Sequence, residues 1–276
     1  NGDQEQSQKR LDQANALVTG AMLAAKPVED PHLTAAVGFT PSCLQPWLAC
    51  APLVPSLLSK DRREAMQGYE PGKAIAAALD RTQMEERHVL DRAQYVWIKT
   101  MLEGQILTWG GDRVDMANSM EARPPFLDHH LAAVAVQVPP ELRIKDQREK
   151  HVLREAVAGL LPERLYHREK FAFMAPPAHA DDDKLQKLDQ LVQAHLSQEA
   201  IEACGLLDPE GVQELLKRHR SAETPAHERV QLDAMVNHLL GVQILHKLFV
   251  QTDVPAQAQQ AADARGWHVR ETAQVF

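Results

Sequence analysis

The spacing of apolar and polar positions along the chain is mainly helical. Over residues 85–108, apolar side chains such as Val89, Ala93, Val96 and Leu107 recur near every 3.6 residues, and Gly110-Gly111 then ends the pattern. Runs that alternate with a period of two are absent, so few strands are expected. The same spacing predicts further helices over residues 4–25, 73–82, 129–138 (short and buried), 148–160, 184–196, 209–220 and 227–250.

Between these helices, proline divides the chain into shorter pieces. Six prolines over residues 27–58 predict short helical fragments, and Pro176-Pro177 predicts a loop over residues 165–180. No linker separates two domains, so residues 1–250 are taken as one domain. Residues 251–276 are taken as a polar tail that frays.

Composition narrows the class of protein. The 276 residues are 44% apolar and 25% charged, as in ordinary globular domains. A net charge of −8 disfavours nucleic-acid binding, and no apolar run approaches the roughly 20 residues of a membrane helix. The three cysteines, Cys43, Cys50 and Cys204, do not form a disulfide framework. These features favour a cytoplasmic protein.

General catalytic motifs are absent from the sequence. It contains no glycine-rich dinucleotide loop, no Walker loop and no His-Glu-x-x-His. His129-His130 is interpreted as a helix-start pair, because adjacent residues on a helix point in different directions. The acidic run 181–183 is interpreted as a solvated helix N-terminus. No metal site is assigned.

The segment 111–128 combines charge and apolar side chains at high density. It reads Gly-Asp-Arg-Val-Asp-Met-Ala-Asn-Ser-Met-Glu-Ala-Arg-Pro-Pro-Phe-Leu-Asp. This composition suggests partly buried ion pairs, which are costly to desolvate and tend to be retained for geometry or function. A purely structural salt-bridge cluster is the alternative interpretation.

Two lysines further along could face phosphate. Lys150 lies in Glu-Lys-His-Val-Leu-Arg-Glu-Ala, and Lys170 lies in Arg-Glu-Lys-Phe-Ala-Phe-Met-Ala-Pro-Pro. A cation held between aromatic residues and prolines on a loop is suited to phosphate contact. The alternative for Lys170 is a surface lysine with its stem laid along apolar groups.

Together these three segments, in this order and spacing, resemble the synthetase domain of glutamine-hydrolysing asparagine synthetases. The resemblance is strong over about residues 85–180 and weaker to about 250. It implies an α/β adenine-nucleotide-binding domain of the PP-loop type, of which this chain is the mainly α, helical C-terminal half.

The resemblance also implies a chemistry. In a complete enzyme, a glutaminase domain with an N-terminal cysteine nucleophile releases ammonia. At the synthetase domain, ATP and Mg²⁺ are used to adenylate aspartate, and ammonia then displaces AMP to give asparagine. The implied partners are therefore the missing N-terminal synthetase and glutaminase portion or a partner chain, with aspartate and glutamine-derived ammonia as substrates.

Three motifs of the family pattern are missing from this sequence. The Ser-Gly-Gly-x-Asp-Ser loop that binds pyrophosphate, the later acidic Gly-x-x-Asp-Glu motif and the N-terminal cysteine are all absent. The main ATP and magnesium motifs therefore lie outside this chain, and the isolated chain is expected to be inactive.

Roles follow from the resemblance position by position. Lys170 matches a phosphate-facing cation that stabilises charge as the acyl-adenylate forms and collapses. Glu121 is assigned a catalytic, orienting role, and Arg123 and Lys150 are assigned to substrate binding. The remaining matched positions, Asp112, Arg113 and Asp128, are assigned to the scaffold.

Two other functions stay open. A sibling amide-forming synthetase, of the β-lactam synthetase or lasso-peptide cyclase kind, would use the same adenylation with another nucleophile. A noncatalytic helical relic or binding subunit would have lost the ATP chemistry.

Overall fold

The computed structural model describes residues 27–146, 148–168 and 182–267, which divide into two compact units. The first unit contains the described residues 27–51 and 68–168, and the second contains residues 52–67 and 182–267. The predicted helix over 4–25 lies outside the described residues. The described chain is mostly helical, which confirms the predicted fold class.

The first unit is a series of short helices and one small hairpin. Its longest helical stretch starts as helix Val89–Trp97, continues as a π-helix over Ile98–Ile106 and ends as Leu107–Trp109, close to the predicted 85–108. The other α-helices are Pro31–Val37, Gln45–Cys50, Pro71–Ala78, Asp112–Ala117, His129–Ala135, Pro140–Arg143, His151–Ala156 and Glu163–Tyr166, with 3₁₀ turns at Ser42–Leu44, Arg81–Gln83 and Pro125–Leu127.

The hairpin joins strands Ile144–Lys145 and Arg148–Glu149. These strands are antiparallel, with Ile144 opposite Glu149 and Lys145 opposite Arg148. Helix His151–Ala156 follows the hairpin, so the predicted 148–160 helix was wrong at its start. The reason is local, because Lys150 adopts the left-handed conformation (φ 57°, ψ 36°), which no regular helix contains.

The core of the first unit lies near its beginning. Helix Pro31–Val37 starts where the Asp30 carboxylate accepts a hydrogen bond from the Leu33 amide at 2.9 Å, and it ends at Gly38 in the left-handed conformation. Arg92 then donates to the Val37 carbonyl at 2.6 Å. The buried apolar residues of this core are Leu33, Val37, Leu44, Leu48, Leu79, Met84 and Val96.

The second unit is a helical cluster. Its longest helix, Ala226–His246, packs against Asp182–His195, Gln198–Cys204 and Pro209–Arg220. Short helices Val54–Leu57 and Lys60–Ala65 belong to the same unit, as do the 3₁₀ turn that ends at Leu53, the π-helix Lys247–Gln251 and helix Val254–Ala264. Its core contains Leu57, Val192, Leu196, Ile201, Leu207, Val212, Leu215, Leu216, Leu232, Val236, Leu239 and Leu240.

Two predictions about burial and order were wrong. Helix His129–Ala135 was expected to be buried, yet Leu131 is 41% exposed and Val134 is 63% exposed. The residues past Gln251, expected to fray, form helix Val254–Ala264, whose start is capped by the Asp253 carboxylate. None of the described helices has the length and apolarity needed to cross a membrane.

Candidate functional site

The first motif, residues 111–128, forms two short helical pieces joined by irregular chain. Helix Asp112–Ala117 begins directly after Gly111, with Asp112 and Asp115 in its first turn, where negative charge is favoured by the helix dipole. After the 3₁₀ turn Pro125–Leu127, the Asp128 carboxylate accepts hydrogen bonds from the amides of His130 and Leu131 at 3.0 Å each. Asp128 therefore acts as a helix cap, and its scaffold role in a synthetase stays a prediction.

Glu121 and Arg123 lie in the irregular chain between those pieces. The Arg123 guanidinium donates from Nε to Glu121 Oε1 at 2.7 Å. The Arg123 side chain is 83% exposed and that of Glu121 is 62% exposed, so the expectation of a partly buried ion pair was wrong here. In water such a pair contributes little to stability, about 0–1 kcal/mol. Both side chains are therefore accessible from solvent while hydrogen bonded to each other.

Lys150 occupies the turn between the hairpin and helix His151–Ala156. Its positive φ of 57° is uncommon for a residue with a side chain, and Asp146 in the hairpin turn has a similar φ of 50°. Its carbonyl accepts the Arg154 amide at 2.9 Å, which closes the first helical turn. The turn thus holds the Lys150 backbone in place and leaves its side chain exposed.

Arg154 connects the second motif to the chain that leads into the third. Its guanidinium donates to the Glu149 carbonyl at 3.2 Å and to the Tyr166 carbonyl at 3.5 Å. Sequence reasoning quoted Arg154 in Glu-Lys-x-x-Leu-Arg but gave it no role. Arg154 follows Lys150 by four residues, but no pattern in the sequence marked its contact with the Tyr166 carbonyl.

A shallow cavity of about 480 Å³ lies beside helix Glu163–Tyr166, lined by Arg164, Leu165, His167 and Arg168. Two of these side chains are guanidinium groups, and His167 contacts the Glu163 carboxylate at 2.8 Å. Guanidinium groups match phosphate oxygens in geometry and charge. The cavity therefore presents two cationic side chains, and Arg168 is the arginine of the Arg-x-Lys motif.

The predicted site is brought together only in part. Lys170 lies outside the described residues. No hydrogen bond or ion pair among the described residues joins Glu121 or Arg123 to Lys150. The scaffold position Arg113 lies in helix Asp112–Ala117 with its side chain exposed.

Other reactive groups of the described chain do not form a second centre. Burial raises the pKa of the Cys43 and Cys50 thiols, so neither is an activated thiolate. The rings of His129 and His130 lie with centroids 3.9 Å apart and planes tilted by 39°. Across residues 27–146, 148–168 and 182–267, no grouping of three His, Cys, Asp or Glu side chains could hold a metal ion.

Comparison with known proteins agrees with the three motifs. The family model described as asparagine synthase matches residues 6–247. The chain belongs to the asparagine synthase family. Its described part is a helical portion of such a domain.

The similar proteins are named either as amidases or as asparagine synthetases. An amidase of Penicillium rubens is 36% identical over 145 residues, which is 50% of this chain and 21% of that protein. Asparagine synthetase 1 of Bacillus subtilis is 41% identical over 90 residues, or 33% of this chain and 14% of that protein. A putative asparagine synthetase of Mycobacterium bovis is 30% identical over 169 residues, or 61% of this chain and 24% of that protein.

The matched stretch covers only a small part of each of these relatives. The chain spans about a fifth of the length of the first two relatives, both fungal amidases by name. No solved structure matches the chain. Family membership is therefore shown, and the reaction of the whole protein is a matter for proposal.

Proposed function

We propose that this chain is the helical part of an ATP-dependent carbon–nitrogen ligase that forms asparagine from aspartate, with nitrogen from glutamine, through an acyl-adenylate. The observation that carries the proposal is the order and spacing of the three motifs inside a chain that the asparagine synthase model matches over residues 6–247. ATP with Mg²⁺ would supply the activation of the carboxylate. This chain would supply cations and polar groups around it.

Each group has a definite task in this proposal. Lys170, which matches the lysine of the family's Arg-x-Lys motif, holds negative charge on the phosphate that leaves the activated carboxylate. Arg123 and Lys150 bind carboxylate or phosphate oxygens of the substrates. Glu121 orients Arg123, to which it is already hydrogen bonded.

The chain by itself is proposed to be inactive. The described residues contain no cluster of three His, Cys, Asp or Glu side chains placed to hold a metal, and the sequence has no Ser-Gly-Gly-x-Asp-Ser loop for pyrophosphate. With aspartate, ATP, Mg²⁺ and ammonium, the isolated chain should therefore release no AMP. Aspartate-dependent AMP release by the chain alone would contradict this part of the proposal.

The deciding experiment replaces Lys170 in the complete synthetase. Lys170→Met should lower the rate of ATP-dependent amide formation by about 10²–10³, the usual effect of removing one group that stabilises developing charge. Lys217→Met is the matched control, because that side chain is 81% exposed in the second unit. Unchanged turnover of the Lys170 variant would refute the assigned role.

A second candidate is a sibling amide-forming enzyme with another acceptor. It is favoured by the two fungal relatives named amidase, which are 36% and 35% identical to this chain. Mass spectrometry of the product distinguishes the two, since asparagine supports the first proposal and another amide supports the second. If the chain is a noncatalytic relic, no product should form even when an upstream portion is supplied.

A further inference from the structure

Arg154 bonds to both peptide groups that flank the Cα of Lys150. Its guanidinium Nε donates to the Glu149 carbonyl at 3.2 Å, and its backbone amide donates to the Lys150 carbonyl at 2.9 Å. The first carbonyl belongs to the peptide group before the Lys150 Cα, and the second belongs to the peptide group after it. Because the orientations of these two planar groups set φ and ψ, one residue restrains the Lys150 backbone and thereby the direction of its Cα–Cβ bond.

The backbone conformation that Arg154 restrains is unfavourable for lysine. Lys150 has a φ of 57° and a ψ of 36°, in the left-handed region where the Cβ of an L-residue crowds the following carbonyl. Glycine adopts this conformation without that cost. The Lys150 side chain is exposed, so burial does not offset the strain. Strain of this kind is typical of functional sites, and it indicates that the Lys150 side chain itself has a role.

The same guanidinium also connects the Lys150 turn to the basic cavity. Arg154 donates from Nη1 to the Tyr166 carbonyl at 3.5 Å, at the end of the helix beside that cavity. Arg164 in this helix and Arg168 just after it line the cavity. The turn that carries Lys150 is therefore held next to a segment that carries two further cations.

The contacts of Arg154 require a guanidinium group. Two nitrogens of its planar fork donate to two different carbonyls, a geometry that a single ammonium on a flexible stem cannot reproduce. The side chain is only partly buried, so these hydrogen bonds compete with water and add little to stability. Their main consequence is the fixed geometry of the Lys150 turn.

We propose that Arg154 is a positioning residue for the ligase reaction, which holds Lys150 so that its ammonium group meets a carboxylate or phosphate oxygen of the substrate. The inference rests on the proposed function, in which Lys150 binds substrate. Arg154 itself touches no substrate in this scheme. It acts through Lys150, by fixing the two peptide groups on either side of that residue.

A double-mutant cycle in the complete synthetase tests this assignment. Lys150→Met should raise the KM of one substrate, ATP or aspartate. Arg154→Lys should raise the KM of that same substrate by about 10- to 100-fold, because misplacing a group by about 1 Å can cost that much. The double variant should be no worse than Lys150→Met alone. Arg148→Lys is the matched control, because this exposed arginine of the hairpin should leave both KM values unchanged.

Three outcomes would overturn the assignment. In the first, Arg154→Lys leaves both KM values at those of the wild type. In the second, the losses of the two single variants multiply in the double variant, so that Arg154 acts independently of Lys150. In the third, Arg154→Lys loses its helical circular dichroism, which would make the contacts a requirement of folding rather than of positioning.

Lys150→Gly gives a readout that does not depend on changing Arg154. Glycine relieves the left-handed strain, so the melting temperature of the complete protein should rise while the KM rises as it does in Lys150→Met. Lys145→Gly is the control, because Lys145 lies in a strand without a positive φ, where glycine should lower the melting temperature. A melting temperature that falls in Lys150→Gly would contradict the strained turn and count against the inference.

The positioning role and the proposed function can fail separately. Normal kinetics of Lys150→Met would refute the substrate-binding role that the proposed function gives to Lys150. A defective Lys150→Met beside a normal Arg154→Lys would refute only the positioning role. If the product is another amide, asparagine synthesis is refuted, and the cycle still reads the coupling of the two residues through that reaction.

Discussion

The second unit and the motif segment, residues 111–168, contain similar apolar side chains, but the second unit buries them and the motif segment leaves them exposed. In the second unit, helix Ala226–His246 places Leu232, Val236 and Leu240 at 4% exposure or less. In the motif segment, helix His129–Ala135 leaves Val134 63% exposed. Apolar content alone therefore does not decide burial. In the second unit, three neighbouring helices bury the apolar side chains of helix Ala226–His246, and the described motif segment lacks such a packing surface.

The two regions also differ in how deeply their paired polar side chains are buried. In the second unit, His219 and Asp233 approach to 2.6 Å with side-chain exposures of 6% and 13%. In the motif segment, the ion pair of Glu121 and Arg123 is at 2.7 Å but open to water. Similar distances therefore accompany very different environments, and only the first pair is expected to stabilise the fold.

The largest expected effect comes from truncating one leucine in each region. Leu240→Ala should lower the free energy of unfolding by about 2–5 kcal/mol, because it removes buried apolar groups and leaves a cavity. Leu160→Ala is the matched control at 76% exposure and should change it by less than about 0.5 kcal/mol. Urea denaturation followed by circular dichroism measures both. A similar loss for the two variants would remove the contrast.

The next effect concerns the His219–Asp233 and Glu121–Arg123 pairs. Asp233→Asn should cost about 1.5–3 kcal/mol of folding stability, since it weakens a charged hydrogen bond in a buried setting. Glu121→Gln should cost at most about 0.5 kcal/mol, because water screens that pair. The same urea measurement compares them. If Asp233→Asn were as mild as Glu121→Gln, the buried pair would not contribute more than the exposed one.

The smallest effect concerns two helical glycines. A Cβ at Gly211 would lie 1.9 Å from the Ser56 carbonyl oxygen, so Gly211→Ala should destabilise the second unit by about 1–3 kcal/mol through overpacking. At Gly104, in the π-helix Ile98–Ile106, a Cβ would meet no atom within 4 Å. Gly104→Ala should be neutral or stabilise by up to about 1 kcal/mol. Thermal melts that shift downward for both variants would contradict this.

Local patterns predicted many of the helices well. Asp208-Pro209 is a capping residue followed by proline at the first helical position, and helix Pro209–Arg220 starts there with the Asp208 carboxylate accepting the Gly211 amide at 2.8 Å. Prolines predicted the short pieces between Pro31 and Leu57. These signals act within a few residues of the chain, so a single sequence contains them.

Other features had no such local signal. The hairpin before Lys150 depends on left-handed conformations at Asp146 and Lys150, which sequences ordinarily mark with glycine. Arg154 donates to the Tyr166 carbonyl, which lies twelve residues further along the chain, and no periodic pattern in the sequence links positions that far apart. The burial of helix His129–Ala135 was predicted from its apolar residues alone, without knowledge of what packs on it.

The sequence by itself determined the helical class, several helix ends and the three motifs that place this chain in the asparagine synthase family, because capping, periodicity and motif spacing are properties of neighbouring residues. The tertiary structure alone decided which apolar side chains are buried, that Glu121 and Arg123 face water, and that Arg154 contacts the Tyr166 carbonyl. Burial is decided by segments distant in sequence, and in the motif segment the described residues do not provide them.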